Sequence, residues 1–383
     1  MNESMLQPEL PEEWRIKREY YTSADLYLLE EERIFRKLWQ FVGLESELPK
    51  PGDFKRAAIA GEPLLVVRGE DGAARVFYNS CRHRGAIVEE RPSGHAPLFR
   101  CVYHHWCYDN RGRLVQVTMP SAYGGWFKKE NYGLIQVPRQ DVFRGLIFAS
   151  LDPGVPTLED CLGAAAAHLD YAMTFSGAPL EFVATYSYRI RANWKLFMEN
   201  SVEGYHPFYL HGAALTERSS ASQDGGGRTV DLGHHALWEG GNLQRREGMA
   251  GRLLTHVLLF PNCLALHHEP AGPFAVRQVV PESVDRTAIT VYGLAPAGEA
   301  REIRLEHLKS FNTSWGPGGR NGADDNRALE LVQEGLKARM GGEVLIARGA
   351  EGGAEGGVAD ENSLRAFWRG WRCYMGTVQS RSN

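Results

Sequence analysis

Two short stretches carry both a thiol and an imidazole: Cys81-Arg82-His83 and, after seventeen intervening residues, Cys101-Val102-Tyr103-His104. Two cysteines and two histidines on two loops suit a single metal centre. Zinc takes such ligands tetrahedrally, whereas one class of two-iron, two-sulfur cluster places two cysteines on one iron and two histidines on the other. Zinc fingers usually pair cysteine with cysteine and histidine with histidine. Here each loop supplies one of each, so the two loops can clamp a two-iron cluster from opposite sides. Neutral imidazoles in place of two thiolates remove negative charge and raise the cluster's reduction potential. The bland alternative is four packed core residues spaced this way by chance. Cys107 reads as a packed thiol, and His105 as a surface or interface residue rather than a fifth ligand.

A second constellation lies in Asn193–His211, NWKLFMENSVEGYHPFYLH, where Glu203, His206 and His211 form E-x2-H-x4-H. On a helix Glu203 and His206 share a face, but five residues carry His211 roughly 140° around from His206, so a regular helix cannot aim both imidazoles at one ion. Pro207 interrupts the hydrogen bonding and lets His211 swing back. Two histidines and one carboxylate make the facial triad of non-heme iron oxygenases, which leaves positions open for oxygen and substrate. The segment GADDNRALELVQEGL far downstream offers Asp324 and Asp325, either of which could instead cap the helix that follows.

Elements must hold these groups. Ser23 to Trp39 has apolar residues at helical spacing behind a capping serine, and a Pro49-Lys50-Pro51-Gly52 break follows. From Asp53 to about Leu151 short β-type runs (LLVVRG, ARVFYN, LFRCVY, RLVQV, RGLIFASL) alternate with Gly, Pro and Asp turns. Beyond Asp152-Pro153-Gly154 a helix-like stretch leads to the strand FVATYSYRIRA, the helical NWKLFMENSVEGYH, and the β runs HVLLFP, CLALHH, AVRQVVP and AITVYGLA. The glycine-rich SASQDGGGRT and GAEGGAEGGV read as mobile loops, and SLRAFWRGWRCYMG as a helix docked by its aromatic face. The boundaries expected are 1–38 for an N-terminal helical segment of the larger domain, 39–152 for the small all-β domain, and 153–383 for the rest. A formal net charge of −4 gives no basic surface for nucleic acid, and no run approaches the length of a membrane span. The acidic, proline-bearing N-terminus is unlike a leader, so a cytoplasmic protein is expected. Six cysteines in 383 residues are too few for a disulfide framework.

The two metal motifs together resemble the Rieske non-heme iron aromatic-ring-hydroxylating oxygenases, large (alpha) subunit, in which the cluster loops usually read CxHRG and CxYHGW. Arg84, Gly85, Tyr103 and Trp106 match, and His105 stands where that family has glycine. The likeness runs from ERIFRKLWQFVG to the final FWRGW. It implies an α+β fold, with a small all-β Rieske domain set before a larger helix-grip-like catalytic domain built on a central antiparallel sheet. It assigns Cys81, His83, Cys101 and His104 to a [2Fe-2S] cluster, and His206, His211 and Asp325 to a mononuclear Fe(II). Asp325 stands five residues before Glu330 in an acidic pair followed by E-x2-Q-x-G, as in the family, and Asp324 is the runner-up. Glu203 corresponds to the acid that bridges a mononuclear-site histidine to a cluster histidine of the neighbouring subunit. Asn200 is a second candidate catalytic residue, and Val202, Tyr205, Leu210, Val257, Leu258 and Leu266 are expected to line the pocket. The resemblance further implies O2 as co-substrate, electrons from NAD(P)H through a reductase and in some systems a ferredoxin, and a homotrimer with or without a small β subunit.

The tail segments GLKARMGGEVLIARG and ADENSLRAFWRGW look like those of benzoate, anthranilate, salicylate and aniline oxygenases. Ring dihydroxylation of a single-ring aromatic, in aromatic hydrocarbon catabolism, is the leading expectation. Glu203, where ring-dihydroxylating members mostly have aspartate, prompts the alternative of a monooxygenase or demethylase of quaternary ammonium compounds, which needs an aromatic cage. From another class, an iron-sulfur electron-transfer protein or a zinc-structured binding protein would make the second motif a coincidence.

Overall fold

Alternating apolar and polar residues between 180 and 296 form long antiparallel strands, each burying one face against helices. The structure is a computed structural model and describes residues 14–211, 227–241, 253–268, 274–316, 319, 322–338 and 343–376. The chain forms two compact units, Met1–Ile34 with Glu159–Asn383, and Phe35–Leu158. These divisions fall a few residues from the 38/39 and 152/153 boundaries expected. The reason lies in tertiary ties: the Trp39 indole N–H donates to Pro156 O at 2.9 Å, and Ser150 Oγ donates to Lys37 O at 3.2 Å.

The larger unit is built on an eight-stranded antiparallel sheet. Its spatial order is Leu180–Ile190, Arg286–Pro296, Phe274–Ser283, Cys263–His268, Leu253–Leu259, His235–Gly241, Gly227–Leu232 and Glu355–Gly357. Helix Ala165–Thr174 covers one face: Tyr171 on it and Phe175 after it contact the ring of His267. The other face carries the segment from helix Trp194–Asn200 to His211. Helix Asn362–Met375 docks through Leu364, Phe367, Trp368 and Trp371, the last three fully buried. Helix Ala24–Glu30 starts at Ser23, whose Oγ accepts Leu26 N–H at 3.3 Å, and a π-helical turn, Glu31–Phe35, continues it. Beneath helix Trp194–Asn200 a buried ion pair, Lys195 with Glu30, is completed by the Trp194 and Trp371 indoles, so each charged oxygen has a donor.

The second glycine-rich stretch does not remain a loop throughout. Glu355–Gly357 is an edge strand paired with Gly227–Leu232, because small residues let two backbones lie side by side. The first stretch reaches that partner strand at Gly227, and its earlier residues lie outside the described residues.

The smaller unit holds three antiparallel sheets. One orders Ala74–Tyr78, Glu62–Arg68, Asp53–Ile59 and Ser93–His95; another is the meander Leu98–Arg100, Cys107–Asp109, Leu114–Gln116. The third pairs Arg139–Phe143, Leu146–Ser150 and Gln40–Leu44.

Candidate metal centres

Cys81 to Gly85 and Cys101 to His105 are two copies of one turn. Cys81 O accepts Gly85 N–H at 2.8 Å, and Cys101 O accepts His105 N–H at 2.9 Å. Cys81 N–H donates to Ala86 O and Cys101 N–H to Trp106 O. Each turn closes through a left-handed residue, Gly85 at φ +71° and His105 at φ +57°. The unusual histidine thus occupies a position that demands positive φ, which glycine adopts without steric cost and a histidine adopts at about 1–2 kcal/mol.

The turns bring the four residues together. Cys81 and Cys101 are buried, and the rings of His83 and His104 lie 4.4 Å apart. His83 stacks on Trp106 at 5.0 Å, and its buried Nδ1 has no hydrogen-bond partner. Cys81 Sγ lies 3.2 Å from the Tyr108 hydroxyl. Burial pushes the Cys101 thiol up, opposed by the backbone N–H groups of Tyr103 and His104 and reinforced by Cys81. Two buried thiols and an orphaned imidazole nitrogen fit a bound cationic cluster, which lets both sulfurs ionise. Cys107 is a packed thiol whose Sγ donates to His105 O at 3.3 Å.

In the second constellation helix Trp194–Asn200 ends before Glu203, and Pro207 opens a new short helix, Pro207–Leu210, at its first position. Glu203 and His206 therefore share a turn rather than a helix face. Gly204 stands within that turn where a Cβ would meet Val358 O at 2.3 Å and Trp238 Nε1 at 2.4 Å, so only glycine passes. Proline fits where it stands because the first helical N–H needs no partner. Glu203 grips His206 twice, accepting its backbone N–H at 3.1 Å and facing its Nδ1 through Oε1. That leaves Nε2 as the nitrogen turned toward Asp325.

His206 Nε2 lies 3.4 Å from Asp325 Oδ1, and His211 Nε2 lies 3.1 Å from the same oxygen. Ligand atoms of His206, His211 and Asp325 all fall within 4.8 Å of one another. Oδ1 nevertheless makes no hydrogen bond, and neither does the buried His211 Nδ1. An unbonded carboxylate oxygen facing two imidazole nitrogens suits a divalent cation. Burial opposes charge on His206, but Asp325 and Glu203 outweigh it and push the ring up to about 9. Despite its own burial Asp325 is held well below the usual carboxylate range by His206 and His211, so it is ionised at neutral pH. Asp324 is exposed, with Oδ2 3.8 Å from His211 Nδ1 and away from this convergence.

Residues 38–134 match the family model of the Rieske [2Fe-2S] domain, and residues 178–377, more than half the chain, match that of the ring hydroxylating alpha subunit (catalytic domain). The chain belongs to the ring-hydroxylating alpha-subunit family. It is a Rieske oxygenase, whose cofactors are a [2Fe-2S] cluster and a non-heme iron and whose co-substrate is O2. It is 31% identical to the terephthalate 1,2-dioxygenase terminal oxygenase component, subunit alpha 2, of Comamonas sp., over 98% of this chain and 99% of that one. It is 29% identical to the anthranilate 1,2-dioxygenase large subunit of Burkholderia cepacia, over 94% and 93%. The solved structure of naphthalene 1,2-dioxygenase from Rhodococcus sp. superposes with a TM-score of 0.87 at 26% identity, covering 96% of this chain and 95% of that one. No helix among the described residues is long and apolar enough to cross a membrane.

Other expected site residues of this ring-hydroxylating subunit are placed unequally. Asn200 Nδ2 is 3.3 Å from His206 Nε2. Val202 is buried, Leu210 half-buried, and Leu258 and Leu266 are buried on the sheet face shared with His256, whose Nδ1 donates to Ser201 O at 2.8 Å. Val257 points the other way, beside Ala265 and toward the face covered by helix Ala165–Thr174, since neighbours on a strand alternate. Tyr205 is 41% exposed and lies under the Arg348 guanidinium. Sequence reasoning missed His256, His268, Arg277 and Trp315. A histidine in LLTHVLL and an arginine in FAVRQVV, polar residues within apolar strands, were the available signal.

Proposed function

We propose that Cys81 and Cys101 hold one iron of the cluster, His83 and His104 the other, and His206, His211 and Asp325 a single Fe(II), in the terminal oxygenase of a multicomponent system that dihydroxylates a single-ring aromatic. The observation that carries this reading is the convergence of His206 and His211 on the unbonded Asp325 oxygen. When bound, the metals supply electron storage and dioxygen chemistry. The protein's residues do the placing. Glu203 sets the tautomer of His206, and Asn200 offers an amide beside His206 Nε2. The relatives' names, terephthalate and anthranilate dioxygenases, support an aromatic ring as substrate.

The finer organisation follows the same reading: 1–38 and 153–383 as the catalytic domain around a Rieske domain at 39–152, in a cytoplasmic trimer with or without a small subunit, served by a reductase. Glu203 then links His206 to a cluster histidine of a neighbouring chain. The quaternary-ammonium alternative needs aromatic faces for its cation, and the Trp315 and Phe197 faces already carry Arg277.

Metal and sulfide analysis with an Asp325→Ala variant tests the assignment. The wild type should hold about three irons per chain. The variant should lose one, keep the cluster's visible spectrum, and form no cis-diol from benzoate with a reductase. Loss of all iron together, or zinc in colourless protein, would overturn it.

A further inference from the structure

Arg277 is buried, 5% exposed, yet no carboxylate among the described residues pairs with it. Its Nη1 donates a long bond, 3.4 Å, to Ser201 Oγ, which itself donates to Phe197 O, and its Nε makes no hydrogen bond. The guanidinium lies 4.0 Å from the Trp315 ring centroid and 5.5 Å from that of Phe197. Aromatic faces offset part of the desolvation of a cation, but not the several kcal/mol that burying one costs.

Two more orphans adjoin it. The Trp315 indole N–H and the Tyr186 hydroxyl are buried without partners, and Tyr186 lies in register with Val291, itself paired with Arg277. The Arg277 and Trp315 nitrogens can only donate. Unpartnered donors on Arg277 and Trp315, one of them a fixed cation with no carboxylate beside it among the described residues, make a site for an anion. It belongs to the iron side of the sheet: Arg277, Leu264, Leu266, Leu258 and His256 share that face, and Trp315 contacts His256 and His268. Arg277 is the one permanent cation on this face among the described strand residues.

We infer that Arg277, with Trp315 and Tyr186, binds an anionic ring substituent, a carboxylate, and so makes this oxygenase selective for aromatic acids over neutral arenes. A planar guanidinium matches a carboxylate with two parallel bonds, while the donors leave a neutral substituent's lone pairs poorly matched. The inference rests on the ring-hydroxylation reading for what happens to the ring, and on Arg277 alone for which ring is admitted.

Calorimetric titration of the metal-replete oxygenase with benzoate and with its neutral isostere benzamide separates the two. Benzoate should bind at least about tenfold tighter than benzamide, and Arg277→Gln should weaken benzoate about 100-fold while changing benzamide less than about threefold. Arg277→Lys should recover part of the benzoate affinity. Cluster absorbance and iron content check that each variant is folded. Benzoate affinity retained in a folded Arg277→Gln would sink the proposal, and equal binding of the two ligands by the wild type would sink it even if no variant folds well. Turnover of benzoate, toluene and aniline with a reductase reads the other half. Oxidation of all three at similar kcat/KM overturns the selectivity and spares the reaction. Oxidation of none, with benzoate still bound through Arg277, overturns the reaction and spares the anion site.

Discussion

The side-chain oxygen of Gln333 accepts the backbone N–H of Asn193 at 2.8 Å, inside the core. Asn193 in turn caps helix Trp194–Asn200, accepting Lys195 N–H at 3.0 Å, and Gln333 Nε2 donates to Tyr21 O at 3.2 Å. The helix carrying Asp325 is thereby fastened to the start of the segment that delivers His206 and His211. Glu330, one turn earlier, adds an exposed pair with Arg191 at 3.0 Å, which contributes little.

Gln333→Ala should therefore act at the iron rather than only on stability. It leaves the Asn193 N–H buried and unpaired, at a cost of about 1–3 kcal/mol, and loosens Asp325 relative to the histidines. Iron affinity should fall roughly 10–100-fold with the cluster unchanged. Chelator competition followed by iron analysis measures this; an affinity equal to wild type would show that the Gln333 bond does not position Asp325.

Gly204 predicts a sharper loss. The atoms a Cβ would strike, Val358 O and Trp238 Nε1, are hydrogen-bonded to each other at 3.1 Å, so neither gives way easily. Gly204→Ala should shift the Glu203–His206 turn and cut oxygenation at least about 100-fold, the cost of a misplacement near 1 Å. The cluster's spectrum should not change. Ordinary turnover at full iron content would remove the argument.

His105 separates backbone demand from chemistry. His105→Gly should keep the cluster and alter stability by less than about 1 kcal/mol, since relief at φ +57° is offset by a freer unfolded chain. His105→Val, β-branched at the same φ, should destabilise the loop and lower cluster occupancy. Visible absorbance and thermal midpoints of the two variants read this directly, and identical behaviour would mean that the left-handed turn is not limiting.

Glu199 gives the pH dependence. It is buried, accepts the Tyr21 hydroxyl and the Trp368 indole, each at 2.7 Å, and burial pushes it up to about 7 against those bonds and Lys195. A folded pKa above the unfolded value of 4.5 means stability fully present below about pH 4.5 and lost as pH rises through 7. Relative to Glu199→Gln, the wild type should lose on the order of 3 kcal/mol between pH 5 and 8. Urea unfolding of both proteins at several pH values tests the sign; a difference that stays flat would be incompatible with it.

Some of this was readable residue by residue. Each cluster loop is local: four or five consecutive residues set its ligands and its turn, and the Cys81 and Cys101 turns need only a hairpin and a strand end to bring them together. Strand alternation was equally plain in residues 253–296, but not which face looks toward the iron, which is why Val257 and Leu258 were both expected in the pocket. Helix phase could relate Glu203 to His206 only if a helix ran through them, whereas one helix ends at Asn200 and the next opens at Pro207.

The sequence by itself determined the two-loop cluster motif, the α+β division of the chain and the proline beside His206, because these depend on neighbours a few residues apart. Only the tertiary structure decided that Asp325 rather than Asp324 turns toward the histidines, that Gln333 holds its helix in place, and that Arg277, beside Trp315 and Tyr186, has no counter-charge among the described residues. A charge, a donor or a ligand has its meaning in what lies within a few ångströms of it. Here those neighbours come from strands and helices distant in the chain, brought together only by the packing of the sheet.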